Sequence, residues 1–155
     1  MSISKNIASD ADVGALVDRA EQAHAALMRG DVARYRALIE TTGDFTLMSP
    51  FGGKPSRGAT SSEEWAAIGR FFKNGKDSTL ELVQAYRSEY MIVLAAIERT
   101  HVEVGAIPAQ QWALRVTLVF RKENGQWLLA HRHADALAGG ISVEQAAALV
   151  RGAQA

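Results

Sequence analysis

The chain is predicted to be an α+β domain, on three observations. Helical spacing of apolar residues is concentrated before residue 76, strand-like alternation runs from Thr79 to Leu137, and Gly- and Asn-containing turns punctuate the strands. At 155 residues the chain is expected to be one domain spanning residues 1–155, large enough to bury about two-thirds of its unfolded surface.

Each element has its own signal. Ser9 or Asp10 caps a first helix with apolar positions Val13, Leu16, Val17, Ala20, Ala23 and Leu27, and Gly30 ends it. Asp31 caps a short second helix carrying Val32, Tyr35, Leu38 and Ile39 toward one side. Phe45 to Ser49 alternates as a strand with Phe45, Leu47 and Ser49 on one face. Pro50 to Gly58 is turn chemistry. Ser61-Ser-Glu-Glu64 is a capping box opening a helix with Trp65, Ile68, Phe71 and Phe72 at helical spacing, closed by Lys73-Asn-Gly75. Strands are expected from Thr79, from Tyr90 to Val104, from Trp112 to Arg121 and from Gln126 to Ala136. Ser142-Val-Glu-Gln145 is a second capping box, starting a last helix over residues 142–151.

Lysine plus arginine and aspartate plus glutamate both number 17, so the net charge is zero and no basic stripe points to nucleic acid or an anionic membrane. Cysteine is absent, which excludes disulfides and thiolate chemistry. The first dozen residues lack the apolar core of a secretion signal, and the run Met91 to Ile97 is too short to span a bilayer. A cytoplasmic protein is expected.

Strand parity decides which side chains meet. Trp112, Leu114, Val116, Leu118 and Phe120 share the core or pocket face of their strand. The last strand is half apolar on both faces, so its turn sets the register. A two-residue Asn124-Gly125 turn pairs Phe120 with Leu129 and Leu118 with His131, turning the histidines inward. A three-residue Glu123-Asn124-Gly125 loop pairs Leu118 near Ala130 and Val116 near Arg132, making Leu128, Ala130, Arg132 and Ala134 the inward set. A slip of one residue exchanges the faces.

Helix-Gly30-Asp31-helix, then a strand ending Leu47-Met-Ser-Pro-Phe-Gly52, resembles the SnoaL-like branch of the nuclear transport factor 2-like, or ketosteroid-isomerase-like, superfamily. The resemblance covers roughly residues 12 to 138, and its most specific pieces are Pro50 to Gly53, Ile97-Glu98-Arg99 and Trp127 to Asp135. It implies a cone: a strongly curved, mixed or antiparallel sheet wrapped around three helices of the N-terminal half and enclosing a mostly apolar cavity. It also implies that Leu118, Arg132 and Ala134 face that cavity, which agrees with the three-residue loop. Many members dimerise through the outer sheet face, so a homodimer through Thr117, Val119, Trp127, Leu129, His131 and His133 is expected, with Arg115 and Asp135 able to pair there.

The catalytic groups of ketosteroid isomerase, carried over by position, fall on Ser49, Ala23 and Leu118, none of which supplies the aspartate, tyrosine or second aspartate of that mechanism. Glu98, on a face with Leu94, Ala96 and Thr100, and Arg132 remain as the candidate catalytic or anchoring pair. Ser49, Phe51, Trp65, Leu118, Ala134 and His24 are the expected ligand contacts. His131 and His133 have strand spacing for two ligands on one face, with Asp135 continuing it, but a third ligand is not obvious and no metal or other cofactor is expected. The resulting expectation is a cavity that binds a small apolar ligand bearing a carbonyl or carboxylate. The alternatives are an isomerase or cyclase using Glu98 as base, and a non-catalytic oligomerisation module.

Overall fold

A computed structural model describes residues 7–152. The elements in chain order are α1 (Asp10–Met28), α2 (Val32–Leu38), β1 (Thr41–Met48), β2 (Ser56–Arg57), α3 (Ser62–Phe71), β3 (Phe72–Arg87), β4 (Met91–Val104), β5 (Ile107–Glu123), β6 (Gln126–Ala136) and α4 (Val143–Arg151). The six strands form one curved, open sheet in the order β2-β1-β6-β5-β4-β3. All neighbours are antiparallel except β1 and β6, so the sheet is mixed.

The two expected capping boxes form in α3 and α4, and Ser9, one of the two expected caps of α1, makes a third. In α1, α3 and α4 the serine at Ser9, Ser61 or Ser142 accepts from an amide three residues on, and the residue there bonds back to the serine's own amide. Each such cap is worth about 1 kcal/mol. Asp31 caps α2 through the Arg34 amide.

Strand β4 alternates between buried and more exposed residues along its whole length. Ile92, Leu94, Ala96, Val102 and Val104 face inward with Glu98 and Thr100, and all are buried. On β5 the inward set is Leu114, Val116, Leu118 and Phe120. Against this concave face α1 packs Val13, Leu16, Ala20 and Ala23. Its small alanines let the helix backbone approach the sheet closely, which positions the next residue, His24, within reach of strand side chains.

Several boundaries differ from the sequence reading: β1 begins at Thr41 rather than Phe45, and β5 runs from Ile107 to Glu123 rather than from Trp112 to Arg121. Lys73-Asn-Gly75 does not close α3; the helix ends at Phe71 and β3 begins at Phe72. Asn74 and Asp77 take positive φ (56° and 54°), and the pairing with β4 shifts register around them, so Lys73-Asn-Gly75, which reads as a helix stop, lies in a bulged strand. Gly75 is required there for space: a Cβ on it would lie 2.5 Å from the Met28 Cβ. The turn segment after Pro50 also contains a two-residue strand, β2, paired with β1.

The β5–β6 hairpin combines both alternatives for its register. The turn is the two-residue Asn124-Gly125, both at positive φ (50° and 78°), and Phe120 pairs with Leu129. The register then shifts by one residue at Ala130, so that Val119 pairs with His131, Leu118 with Arg132 and Val116 with Ala134. The three-residue loop and its pairing of Val116 near Arg132 are therefore not adopted. Arg132 turns inward because of a bulge inside the strand, where an extra residue exchanges the faces beyond it.

Below the bulge the correction runs the other way. Leu129 is buried and Trp127 packs on the same core, so neither joins the outer face on which both were expected, and Leu128 pairs with Arg121 rather than facing inward. Thr117, Val119, His131 and His133 do lie on the outer face, where Arg115 forks Asp135 at 2.6 and 2.9 Å. His131 Nδ1 there lies 2.7 Å from the Thr46 hydroxyl of β1. Among the described residues no three metal-ligating side chains converge.

Candidate functional site

Glu98 is the one acidic side chain on the inward face of β4, and its neighbours across the sheet are Leu80 and Leu114. A lone carboxylate in such surroundings is strongly disfavoured unless paired. Arg132, on β6 beyond the bulge, supplies the partner. Its two terminal nitrogens donate to the two Glu98 oxygens at 2.9 and 2.7 Å, a bidentate fork. The Glu98 side chain is 3% exposed and that of Arg132 19%, so the arginine is the outer member of the pair.

His24 completes the inner group. Its Nδ1 lies 3.6 Å from the nearer Glu98 oxygen, and its buried Nε2 has no hydrogen-bond partner among the described residues. Burial pushes the imidazole below its ordinary 6.5, with Glu98 opposing that shift and Arg132 adding to it. Burial would push Glu98 up, but Arg132, with a smaller contribution from His24, outweighs it and holds the carboxyl at about 2. Burial likewise opposes the charge of Arg132, but Glu98 outweighs it and the guanidinium stays fully protonated. Near neutral pH the group is one anion, one cation and a neutral imidazole.

Two cavities meet at Arg132. The inner one, of ≈ 20 Å³, has room for about one water and is bounded by His24, Tyr35, Glu98, Leu118 and Arg132. Tyr35 reaches it from α2, and burial raises the pKa of its phenol, leaving it a neutral donor. The outer one, of ≈ 340 Å³, opens to solvent and lies within the range of small-molecule sites. Its walls are mainly apolar: Met28, Leu47, Ile68, Phe71, Phe72 and Trp112, with Ser49, Pro50 and Phe51 at the rim. Phe51 stacks on Trp112 at 5.8 Å and meets Phe71 edge-on at 5.5 Å, closing one side with aromatic surface. Arg132 is the only charged residue lining this pocket among the described residues.

The expected contacts divide between these spaces. Ser49, Phe51 and Arg132 line the outer pocket, whereas His24, Leu118, Glu98 and Arg132 line the inner cavity. Ala134 is buried in the core and lines neither. Trp65 does not wall the pocket: it packs on Tyr35 at 5.6 Å, under the Arg36 guanidinium, in a separate surface groove. Ala23 and Leu118 lie beside the inner cavity and Ser49 beside the outer one, so the three ketosteroid-isomerase positions do surround this space without the groups of that mechanism. The sequence reading missed Tyr35, Phe71, Phe72 and Trp112 as site residues. For Trp112 the signal was present, since it lies on the same strand face as Leu114 and Leu118.

Comparison with known proteins agrees with this architecture. The SnoaL-like domain family matches residues 17–138. No curated protein matches the sequence. Among solved structures, a putative dehydratase of the NTF2-like family from Streptomyces avermitilis is 20% identical, with a TM-score of 0.65 over 84% of this chain and 100% of that one. An NTF2-like superfamily protein from Salmonella enterica is 16% identical, with a TM-score of 0.65 over 83% and 93% of the two chains. A ketosteroid isomerase-like protein from Erwinia carotovora is 16% identical, at 0.63 over 84% and 100%. At these identities the likeness is one of fold. The chain belongs to the SnoaL-like domain family and has the nuclear transport factor 2-like fold.

Proposed function

We propose that the protein binds a small apolar ligand in the outer pocket, with Arg132 donating to a carbonyl or carboxylate oxygen of that ligand. One observation carries this reading. A single charged side chain lines a mainly apolar pocket, and a buried carboxylate behind it fixes its orientation. The bidentate bond uses two of the five N–H donors of the guanidinium, so donors remain for a ligand. Glu98 acts as a positioning residue, and Phe51, Phe71 and Trp112 supply the apolar contact.

The basicity of Glu98 argues against proton abstraction. A carboxylate held at about 2 is a poor general base near neutral pH, where efficient bases have pKa values close to the working pH. The carboxylate is also spent on the arginine and sits behind it.

The test is fluorescence titration with Nile red, an uncharged apolar reporter. Wild-type protein is expected to bind it saturably. Ala67 lies on the exposed wall of the pocket, and Ala67→Trp should fill the space and weaken binding at least tenfold with the melting temperature unchanged. The absence of saturable binding, or equal binding by the filled variant, would contradict the proposal.

A further inference from the structure

We infer that Glu98 is a charge filter: it makes the pocket select an uncharged hydrogen-bond acceptor over an isosteric carboxylate. This rests on the reading of the outer pocket as a ligand site and narrows the chemistry of what it takes.

Charge balance at Arg132 sets the preference. Arg132 looks like an anion anchor when the pocket is viewed from outside, because it is the only charged residue on the lining. Behind it, both terminal nitrogens are bonded to the Glu98 oxygens at 2.9 and 2.7 Å, so the cation is already neutralised. A ligand oxygen bonded to a free guanidinium N–H would sit within roughly 6 Å of the Glu98 oxygens, the span of two hydrogen bonds end to end. A ligand carboxylate would make a row of two anions about one cation, in surroundings where charge is poorly screened. A ketone, ester or amide oxygen accepts the same hydrogen bond without that repulsion and with less desolvation.

The rest of the site offers no compensating charge: the Ser49 hydroxyl at the rim is an uncharged donor, open equally to a carbonyl and a carboxylate. His24, the remaining titratable base of the inner group, is neutral near pH 7 and bounds the inner cavity but not the outer pocket. Tyr35 bounds only the inner cavity. Apart from Ser49, the remaining pocket walls are apolar and aromatic. Discrimination of this kind works by placing an uncompensated charge against the wrong ligand rather than by improving contacts to the right one.

The experiment compares two near-isosteric probes, 2-acetylnaphthalene and 2-naphthoate, by isothermal titration calorimetry at pH 7.5 with wild-type protein and Glu98→Gln. Wild type is expected to bind 2-acetylnaphthalene at least tenfold more tightly than 2-naphthoate. Glu98→Gln leaves Arg132 unneutralised and should reverse the preference. Equal or tighter binding of 2-naphthoate by wild type would overturn the charge filter while leaving the pocket reading intact. If Nile red and both probes fail to bind, the pocket reading falls and this inference with it. The wild-type comparison decides the question even if Glu98→Gln does not fold, and a folded Glu98→Gln with an unchanged preference counts against it.

Discussion

Replacing Arg132 by methionine keeps most of the side-chain volume and removes the charge that neutralises Glu98. The magnitude can be worked from the pair. Glu98 is held at about 2 against an ordinary 4.5. At 1.36 kcal/mol per unit, that is about 3 kcal/mol of stability. Removing one member of a buried ion pair costs a similar amount, about 3–5 kcal/mol, because the other is left charged in apolar surroundings.

The dependence on pH separates this mechanism from loss of packing. In the wild type the folded pKa is depressed, so the contribution is complete above 4.5 and fades as pH falls toward 2. In Arg132→Met burial, the largest influence on Glu98, is opposed only by the smaller effect of His24 and raises the carboxyl above 4.5. The sign then reverses, and the variant gains stability as pH falls through that raised value. Urea unfolding followed by tryptophan fluorescence at pH 7, 5 and 4 should show a deficit of about 3–5 kcal/mol at pH 7 that narrows in acid. The double variant Glu98→Leu/Arg132→Met, which buries no charge, should return to within about 1 kcal/mol of wild type. A deficit below about 1 kcal/mol at pH 7, with the wild-type pH slope retained, would refute the description of a buried, coupled pair.

Other predictions follow from single contacts. The His24 imidazole should titrate below 6.5 by NMR, and stability should be complete above that pH and decline as pH falls below it; titration at or above 6.5 would contradict the buried, neutral ring. Gly75→Ala should destabilise by more than about 1 kcal/mol in a urea melt, because the new Cβ would sit 2.5 Å from the Met28 Cβ and 2.7 Å from its carbonyl oxygen; a neutral effect would mean that β3 and α1 are farther apart. Deleting Ala130 should remove the bulge and force a choice between misplacing Arg132 and breaking the hairpin pairs, so the variant should lose Nile red binding and melt well below wild type. Wild-type stability with binding intact would show that the bulge does not set the register.

Much of the fold was legible because its signals are local. The serine caps of α1, α3 and α4 and the alternation of β4 depend on neighbours a few residues away, and they form where the residues indicate. Glu98 stood out for the same reason: a carboxylate at an inward position of an apolar strand face requires a partner. The identity of that partner was harder to read. The Asn124-Gly125 turn by itself predicts inward histidines, and only the extra residue at Ala130 turns Arg132 to the core. Nothing local marks Ala130, since a bulge is fixed by what the strand pairs with on each side. Lys73-Asn-Gly75 misled for a related reason: Asn and Gly read as a helix stop, yet here the left-handed Asn74 sits at a bulge in a strand. Trp65 has the spacing of a pocket wall, and only the placement of α3 beside α2 carries it to the Tyr35 ring instead.

The central claim is that the apolar pocket receives a ligand and that Arg132, held by Glu98, meets its polar oxygen. A crystal structure of the protein with 2-acetylnaphthalene tests this most directly. The ring is expected between Phe51, Phe71 and Trp112 and the carbonyl oxygen about 2.9 Å from an Arg132 nitrogen, with the Glu98 fork intact. An empty pocket at saturating ligand, or a ring lodged instead in the outer-sheet groove beside Val83, Ile97 and Thr117, would contradict it.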